Sequence, residues 1–363
     1  MKRTIILSCI AFISLNISAQ YEIEDKIDNT CTPVKNQQNT GTCWSFATTS
    51  FIESELIRMG KGDVNLSEMF NVRKVYEDKA LNYVLRQGKA NFSQGSLAHD
   101  VIKTIDNYGV VPEEAYTGLQ EGYLIHDHGE LSQSLKMYLD GVIKSGKPSP
   151  SWMDATNNIL DAYLGKVPEK FNYKGKDYTP KTFANELGVN AGDYVNFTSF
   201  SHHPFNDYFI LEIPDNYSNQ SYFNVTLDEL MQIINNALEK GYTISWDGDV
   251  SEKGFSQARG LAILPDNYEK GELFEKYLEE VEVTQEKRQD NFLDYSTTDD
   301  HLMHLFGMAK DKQGNVYYKI KNSWGEAGAY KGYLYMSEAY LKMKTVGITL
   351  HRGGVPKSIL EKM

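Results

Sequence analysis

The sequence around one cysteine, Cys43, is suited to turning its thiol into a nucleophile. Cys43 ends the polar, glycine-containing stretch PVKNQQNTGTC, and the apolar run after it predicts a helix that begins at the cysteine. The unpaired N–H groups and the dipole of a helix N-terminus stabilise a thiolate. Gln37 lies six residues upstream, where its amide NH2 can fold back and donate to an oxyanion. This pattern favours a nucleophile over the small buried core residue that most free cysteines are.

The far end of the chain contains a candidate base. His301 begins the run HLMHLFG, Asn322 follows the run VYYKIK, and the turn DKQGN lies between the two runs. A hairpin of these β-rich runs brings His301 and Asn322 together, so that the Asn322 carbonyl orients the imidazole that takes the proton of Cys43. Trp324 is placed to cover that hydrogen bond from water. We expect a resting thiolate–imidazolium pair, because each charge stabilises the other.

Three motifs together resemble the papain superfamily of cysteine peptidases. They are QQNTGTCW at 37–44, HLMHLFG at 301–307 and NSWG at 322–325. In the papain-like pattern a glycine follows the histidine by six residues, which selects His301 over His304. Strand alternation also places these two histidines on opposite faces, so we expect His304 to pack against the sheet.

Within that superfamily the chain resembles the bleomycin hydrolase and bacterial aminopeptidase C branch. Thr40 replaces a cysteine that usually forms a disulfide in papain-like enzymes, and the interval from Cys43 to His301 exceeds that of a minimal papain-like domain. The segment YGVVPEEAY at 108–116 also resembles this branch. The resemblance implies a cysteine peptidase acting on peptide amide bonds, with aminopeptidase action favoured and no metal or organic cofactor. Members of this branch form hexameric rings, so a homo-oligomer is implied by resemblance alone.

The resemblance implies an α+β, papain-like fold of two lobes. One is a helical lobe that carries the nucleophile helix, the other is an antiparallel β-barrel-like lobe, and a large, mostly helical insertion lies between them. The predicted divisions are a signal peptide at 1–19, the helical lobe at 20–119, the insertion at 120–225, the β-rich lobe at 226–350 and a C-terminal tail at 351–363.

The resemblance also assigns roles to individual residues. The catalytic residues are Cys43, His301, Asn322 and Gln37, and the substrate-binding residues are Gly95, Ser96 and Trp324. In papain-like enzymes the main chain of the loop that matches 91–97 binds an extended substrate in β-fashion. Gln94 replaces an expected glycine here, so an ordinary helix-entry turn is an equal alternative. The tail at 351–363 is shorter than the C-terminal arm that makes enzymes of this branch trim free N-termini, which leaves strict aminopeptidase action open.

Other functions stay open at this level. An open cleft would give an endopeptidase or a dipeptide-releasing peptidase. A transglutaminase-like acyl transferase also uses a Cys/His pair, but the NSWG motif fits peptidases better. A non-catalytic peptide-binding protein is disfavoured because all four predicted catalytic residues are present together.

Charge and the N-terminal segment bound the remaining possibilities. The 363 residues carry a net charge of −12, which argues against a basic nucleic-acid surface.

A short basic start and an apolar run predict a signal peptide cleaved near Ala19, and hence a periplasmic or extracellular protein. Cys9 suggests a lipoprotein, but the apolar run before it is too short. No later stretch is long and apolar enough to span a membrane. Because Cys43 must be free, Cys31 is expected to be unpaired or to form only an inhibitory bond.

Two patterns resemble metal ligands without the spacing of a known site. His202 and His203 with Asp207 are interpreted as a surface loop. Asp247 and Asp249 lack the further oxygen ligands of a calcium loop and are interpreted as a turn at a strand end. We therefore predict no metal site.

Overall fold

The computed structural model describes residues 21–269 and 271–363, so the predicted signal peptide and Cys9 lie outside the described residues. The helices of this part of the chain are α1 (Cys43–Arg58), α2 (Glu68–Leu85), α3 (Ala98–Tyr108), α4 (Gly129–Lys144), α5 (Trp152–Leu164), α6 (Pro180–Leu187), α7 (Leu227–Glu239), α8 (Gln285–Leu293), α9 (Glu338–Lys344) and α10 (Lys357–Leu360). The strands are β1 (Ile23–Asp28), β2 (Phe171–Tyr173), β3 (Lys176–Tyr178), β4 (Tyr194–Thr198), β5 (Asp207–Ile210), β6 (Ser221–Asn224), β7 (Ile244–Gly248), β8 (Phe255–Ser256), β9 (Leu261–Ala262), β10 (His301–Asp311), β11 (Val316–Lys321), β12 (Tyr333–Ser337) and β13 (Thr345–His351).

These elements form two lobes with separate apolar cores. The first core lies among α1 to α6, with residues such as Trp44, Phe70 and Leu135 at its centre. The second lies between the large sheet and the helices α7 and α9, around residues such as Trp246 and Tyr318. The predicted α+β fold of two lobes is confirmed.

The large sheet is mostly antiparallel. Ten of its strands run in the order β5-β6-β4-β13-β7-β10-β11-β12-β9-β8, and β1 also pairs with β10. The predicted hairpin is formed by β10 and β11, in which His304 lies opposite Lys321. The register shifts just before Gly307, where an added Cβ would overlap the main-chain oxygen of Ile27. Glycine at this position therefore lets β1 approach β10 closely.

Several helix boundaries follow from local capping chemistry. The Ser67 hydroxyl accepts from the Phe70 N–H at the start of α2. Thr226 and Glu229 form a reciprocal capping box at the start of α7. In α1 every residue from Cys43 to Leu56 is buried, because the helix lies between the two lobes and packs against β10 as well as α2 and α3.

The segment at 120–225 contributes to both lobes. Its helices α4 and α5 add Leu131, Leu139 and Leu160 to the helical core. Its strand β4 pairs with β13 and brings β6 and β5 into the large sheet. Two apolar cores thus share this segment.

Residues 351–363 pack against α7 and the β-rich lobe. Asn236 on α7 donates to the carbonyl of Gly354, and Val355 and Ile359 are buried in the second core. None of the ten helices described above is both long enough and apolar enough to cross a membrane.

Candidate active site

Cys43 is the first residue of α1, and its thiol meets the start of β10. The residue is 8% exposed, and the nearby main-chain N–H of Leu302 lowers the pKa of the thiol. Burial raises the pKa of this thiol to about 12. The charges of Asp299 and Asp215 raise this pKa further, whereas the N–H groups of Leu302 and Trp44 lower it. Cys31 is also a free cysteine, as predicted.

His301 begins β10 and meets the predicted partner. Its Nε2 lies 2.8 Å from Oδ1 of Asn322, which follows β11. Because a carbonyl oxygen can only accept, Nε2 carries the hydrogen and Nδ1 of the neutral ring is the acceptor. Leu302, which contacts the Cys43 sulfur, directly follows His301, so the thiol and the imidazole lie at the same end of β10. The hairpin therefore brings His301 and Asn322 together, and the packing of α1 against β10 places Cys43 near the same strand end.

Burial opposes the expected thiolate–imidazolium pair. It lowers the pKa of His301 to about 4, partly offset by the hydrogen bond to Asn322. The raised pKa of Cys43 and the lowered pKa of His301 both favour the neutral thiol and the neutral imidazole. Charge separation in this site therefore requires the attraction between the two groups and the N-terminal dipole of α1.

Trp324 covers the imidazole. Its ring centroid lies 4.8 Å from that of His301, and the indole is 37% exposed, with Phe255 against its side. Gln257 fixes the Asn322 amide, because its Oε1 accepts from Asn322 Nδ2 at 2.8 Å. Gln257 was not predicted, since it lies 65 positions from Asn322 and belongs to no local motif.

Gln37 joins the loop before Cys43 to the segment after β11. Its Nε2 donates to the Thr40 carbonyl at 2.6 Å, and its Oε1 accepts from the Ser323 hydroxyl at 2.6 Å. The main-chain N–H of Gln37 donates to the Ser323 carbonyl. An amide NH2 carries two hydrogens, so one remains for an oxyanion.

Replacing Gln37 with alanine is expected to lower kcat on a peptide amide about 10²-fold or more, because the variant loses a preorganised oxyanion donor. Steady-state kinetics measures this change. The matched control is Ser323→Ala, which removes the hydroxyl that binds Gln37 but keeps the amide NH2, so its kcat should fall less than about tenfold. An unchanged kcat in Gln37→Ala would remove this side chain from the mechanism.

The competing histidine is engaged elsewhere. His304 is fully buried, and its Nδ1 lies 2.7 Å from the hydroxyl of Ser50 on α1. Its ring also packs edge-on against Phe51. His304 thus joins β10 to α1, whereas His301 contacts Asn322.

The predicted substrate-binding loop at 91–97 is held by hydrogen bonds to neighbouring residues. Ser96 is buried and its hydroxyl donates to Asp100 at 2.6 Å, so its side chain is bound to the first turn of α3. Gly95 is partly exposed, and its carbonyl accepts from Lys79. Gln94 takes up the space beside Gly41, whose N–H donates to Gln94 Oε1 at 2.7 Å. Of the two predicted substrate-binding residues in this loop, Ser96 is buried and Gly95 is partly exposed.

Two histidines near the surface, His202 and His203, contact a carboxylate that the sequence did not predict. The Nε2 atoms of His202 and His203 lie 3.3 and 2.6 Å from the carboxylate oxygens of Glu212. These three residues could hold a metal ion, and the sequence interpretation had considered Asp207 instead. The loop that follows β5 brings Glu212 back to the histidines, and no local spacing predicts this contact.

Comparison with known proteins gives consistent matches. The model of the papain family of cysteine proteases matches residues 18–137, and that of the Peptidase C1-like family matches residues 151–363. Aminopeptidase C of Lactococcus lactis subsp. cremoris is 25% identical over 91% of this chain and 83% of its own length. Aminopeptidase C of Streptococcus thermophilus is 25% identical over 92% of this chain and 84% of its own length.

A solved structure supports the fold. The crystal structure of PepW from Lactobacillus rhamnosis HN001 superposes with a TM-score of 0.71 at 20% identity, and covers 95% of this chain and 85% of that one. The resemblance to the papain superfamily and its aminopeptidase C branch is confirmed. Because its family model matches more than half of the chain, this protein belongs to the Peptidase C1-like family.

Proposed function

We propose that this protein is a cysteine peptidase that removes residues from the free N-termini of peptides, with Cys43 as nucleophile. The observation that carries the proposal is the 2.8 Å contact between His301 Nε2 and Asn322 Oδ1. This contact leaves Nδ1 as the ring's proton acceptor, at the end of β10 where the thiol lies. The relatives named aminopeptidase C support the action on free N-termini.

The chemistry begins from a neutral pair. The Cys43 sulfur attacks the carbonyl carbon of the peptide bond while its proton moves to Nδ1 of His301. The oxyanion is held by the Cys43 N–H and the amide NH2 of Gln37. His301 then gives the proton to the leaving nitrogen, the C–N bond breaks, and a thioester remains on Cys43.

Deacylation reverses the roles. His301 takes a proton from water, whose oxygen attacks the thioester carbonyl. The C–S bond breaks, the acid product leaves, and the proton returns to the sulfur. Asn322 keeps the imidazole in one tautomer and one orientation through both steps, and Trp324 shields that hydrogen bond from water.

A second candidate is an endopeptidase with an open cleft. The packing of residues 351–363 against α7 favours it, because this segment is then engaged with Asn236 and the second core.

Two forms of one peptide amide distinguish the candidates, one with a free and one with an acetylated N-terminus. For an aminopeptidase we expect cleavage of the free form and loss of at least about 10²-fold in kcat/KM on acetylation, because the site then lacks the ammonium group it recognises. Equal cleavage of both forms would replace the aminopeptidase with an endopeptidase. A Cys43→Ala protein run beside the wild type identifies cleavage by contaminants.

A further inference from the structure

A group of carboxylates lies beside the thiol on the face of β10 that carries Leu302. Asp247 on β7 is directly opposite Leu302 in the strand register, and the main-chain N–H of Leu302 lies near enough to the Cys43 thiol to lower its pKa. The carboxyl of Asp299 lies within hydrogen-bond reach of that of Asp247. The charges of Asp299 and Asp215 act on the thiol. We call Asp215, Asp247 and Asp299 the carboxylate pocket.

Other acidic residues of this corner have structural partners. Asp249 accepts from the N–H groups of Ser251 and Thr298, both at 2.8 Å. Asp300 accepts from the N–H of Val250 at 2.9 Å and from that of Ser251 at 3.2 Å. Their negative charges are therefore used to hold the turns that follow β7 and precede β10.

Asp247 and Asp299 lack such partners. Asp247 is only 3% exposed, and neither of its carboxylate oxygens has a hydrogen-bond donor among the described residues. Asp299 Oδ2 is likewise buried without a donor in this part of the chain. Burying a carboxylate without hydrogen-bond partners costs free energy. Asp247 and Asp299 therefore either share a proton or bind a cation. Asp299 as a whole residue is partly exposed, whereas Asp247 is buried.

Asp215 joins this pair to the predicted substrate loop. Its Oδ1 accepts from Asn91 at 3.0 Å and from Ser93 at 3.2 Å. Its Oδ2 occupies the space where a side chain at Gly95 would stand. The cation of Lys79 is close by, but its Nζ donates to the carbonyls of Ser93 and Gly95 and leaves the carboxylates of the pocket to other donors.

The spacing of the pocket favours an organic cation over a metal ion. Among the described residues, a group of three potential ligand atoms within 4.8 Å of one another is found at His202, His203 and Glu212, and the carboxylate pocket does not form one. An ammonium or guanidinium group carries several N–H donors that reach carboxylates spread more widely.

The spacing between paired strands relates the position of a bound organic cation to the bond that is cleaved. Opposed Cα atoms of an antiparallel pair lie about 4.5–5.5 Å apart, and an extended peptide advances about 3.3 Å per residue. The separation between Leu302 and Asp247 on the paired strands therefore corresponds to one or two residues of an extended substrate.

We propose that the carboxylate pocket binds a positively charged nitrogen group of the peptide substrate, carried one or two residues from the cleaved bond. This inference rests on the proposed peptidase function. The charged group is either the free amino end or a Lys or Arg side chain, and both offer the same chemistry to Asp247 and Asp299.

The test measures binding to Cys43→Ala protein, so that peptides stay intact and the result does not depend on turnover. A set of hexa-alanine amides carries Arg, or its neutral isostere citrulline, at each position in turn, with a free or an acetylated N-terminus. We expect at least one charged peptide to bind about tenfold or more tightly than its neutral counterpart. A difference between Arg and citrulline identifies a side chain, and a difference between free and acetylated peptides identifies the amino end.

Variants locate the charge recognition. Adding Asp247→Asn to Cys43→Ala should abolish the tenfold preference, whereas adding the neighbouring control Asp300→Asn should retain it. Asp299→Asn, at a partly exposed position, is the second test if Asp247→Asn does not fold, and thermal unfolding checks each protein.

Three results would overturn the inference. They are equal binding of charged and neutral peptides, a preference that survives Asp247→Asn, and stabilisation of wild type but not of Asp247→Asn by Ca²⁺ or Mg²⁺ alone. The first indicates an acid pair that shares a proton, the second indicates that a group other than Asp247 recognises the charge, and the third indicates a metal site. Failure of the proposed peptidase function is recognised separately, since wild-type protein would then hydrolyse no peptide while the binding preference could still be measured.

Discussion

Replacing Cys43 with alanine is expected to lower kcat/KM for a peptide amide by at least about 10⁴-fold. The variant loses the sulfur that forms the thioester, and removal of a nucleophile from a Cys/His pair leaves only the contribution of the oxyanion donors and of binding. Thermal unfolding first shows that both proteins are folded. Initial rates are then compared at equal concentrations of folded protein.

The chain offers a matched control for this substitution. Cys31 is free and half-buried, and it lies near Lys321 and Tyr333, away from the His301–Asn322 contact. Cys31→Ala should therefore keep kcat/KM within about threefold of wild type. Retention of more than about 1% activity in Cys43→Ala, or loss of activity in Cys31→Ala alone, would reject Cys43 as the nucleophile.

Replacing His301 with alanine is expected to lower kcat by at least about 10³-fold. The thiol has its pKa raised to about 12 by burial, so it depends on a neighbouring base to lose its proton near neutral pH. Asn322 would then have no imidazole to orient, and the leaving amine no acid to protonate it. Single-turnover rates of acylation report this loss directly.

His304→Gln serves as the control for the choice of histidine. His304 is buried and contacts Ser50 on α1, so this change is expected to cost about 1–3 kcal/mol of unfolding free energy. Its kcat per folded molecule should stay within about tenfold of wild type. If His304→Gln abolished acylation while His301→Ala did not, the two assignments would have to be exchanged.

The buried state of the pair changes the expected resting chemistry. Burial raises the pKa of Cys43 and lowers that of His301, and both shifts favour the neutral forms over the expected ion pair. The motifs name the groups but carry no information about their desolvation. Desolvation depends on α1 and β10 closing over the site, and this closure joins residues more than 250 positions apart.

Local chemistry determined much of the fold from the sequence. The Thr226 capping box, the Ser67 cap and the apolar period of α7 are each set by residues within one or two turns, which is why their boundaries were predictable. The hairpin of β10 and β11 was predictable for the same reason, since its turn and its two runs are adjacent in sequence. His301 and Asn322 follow from that hairpin.

Tertiary packing decided the division of residues 120–225 and the surroundings of the site. The segment is shared by two cores, and its Asp215 reaches Gly95 although 120 residues separate them. Asp247 was interpreted as part of a turn, yet its carboxylate is buried without a donor among the described residues. A sequence specifies which residues carry charge, and only the assembled lobes decide which of those charges lose water and which find partners. The predicted nucleophile, base and orienting amide thus follow from the sequence itself, whereas the burial that shifts their pKa values and surrounds the adjoining carboxylates arises from long-range packing.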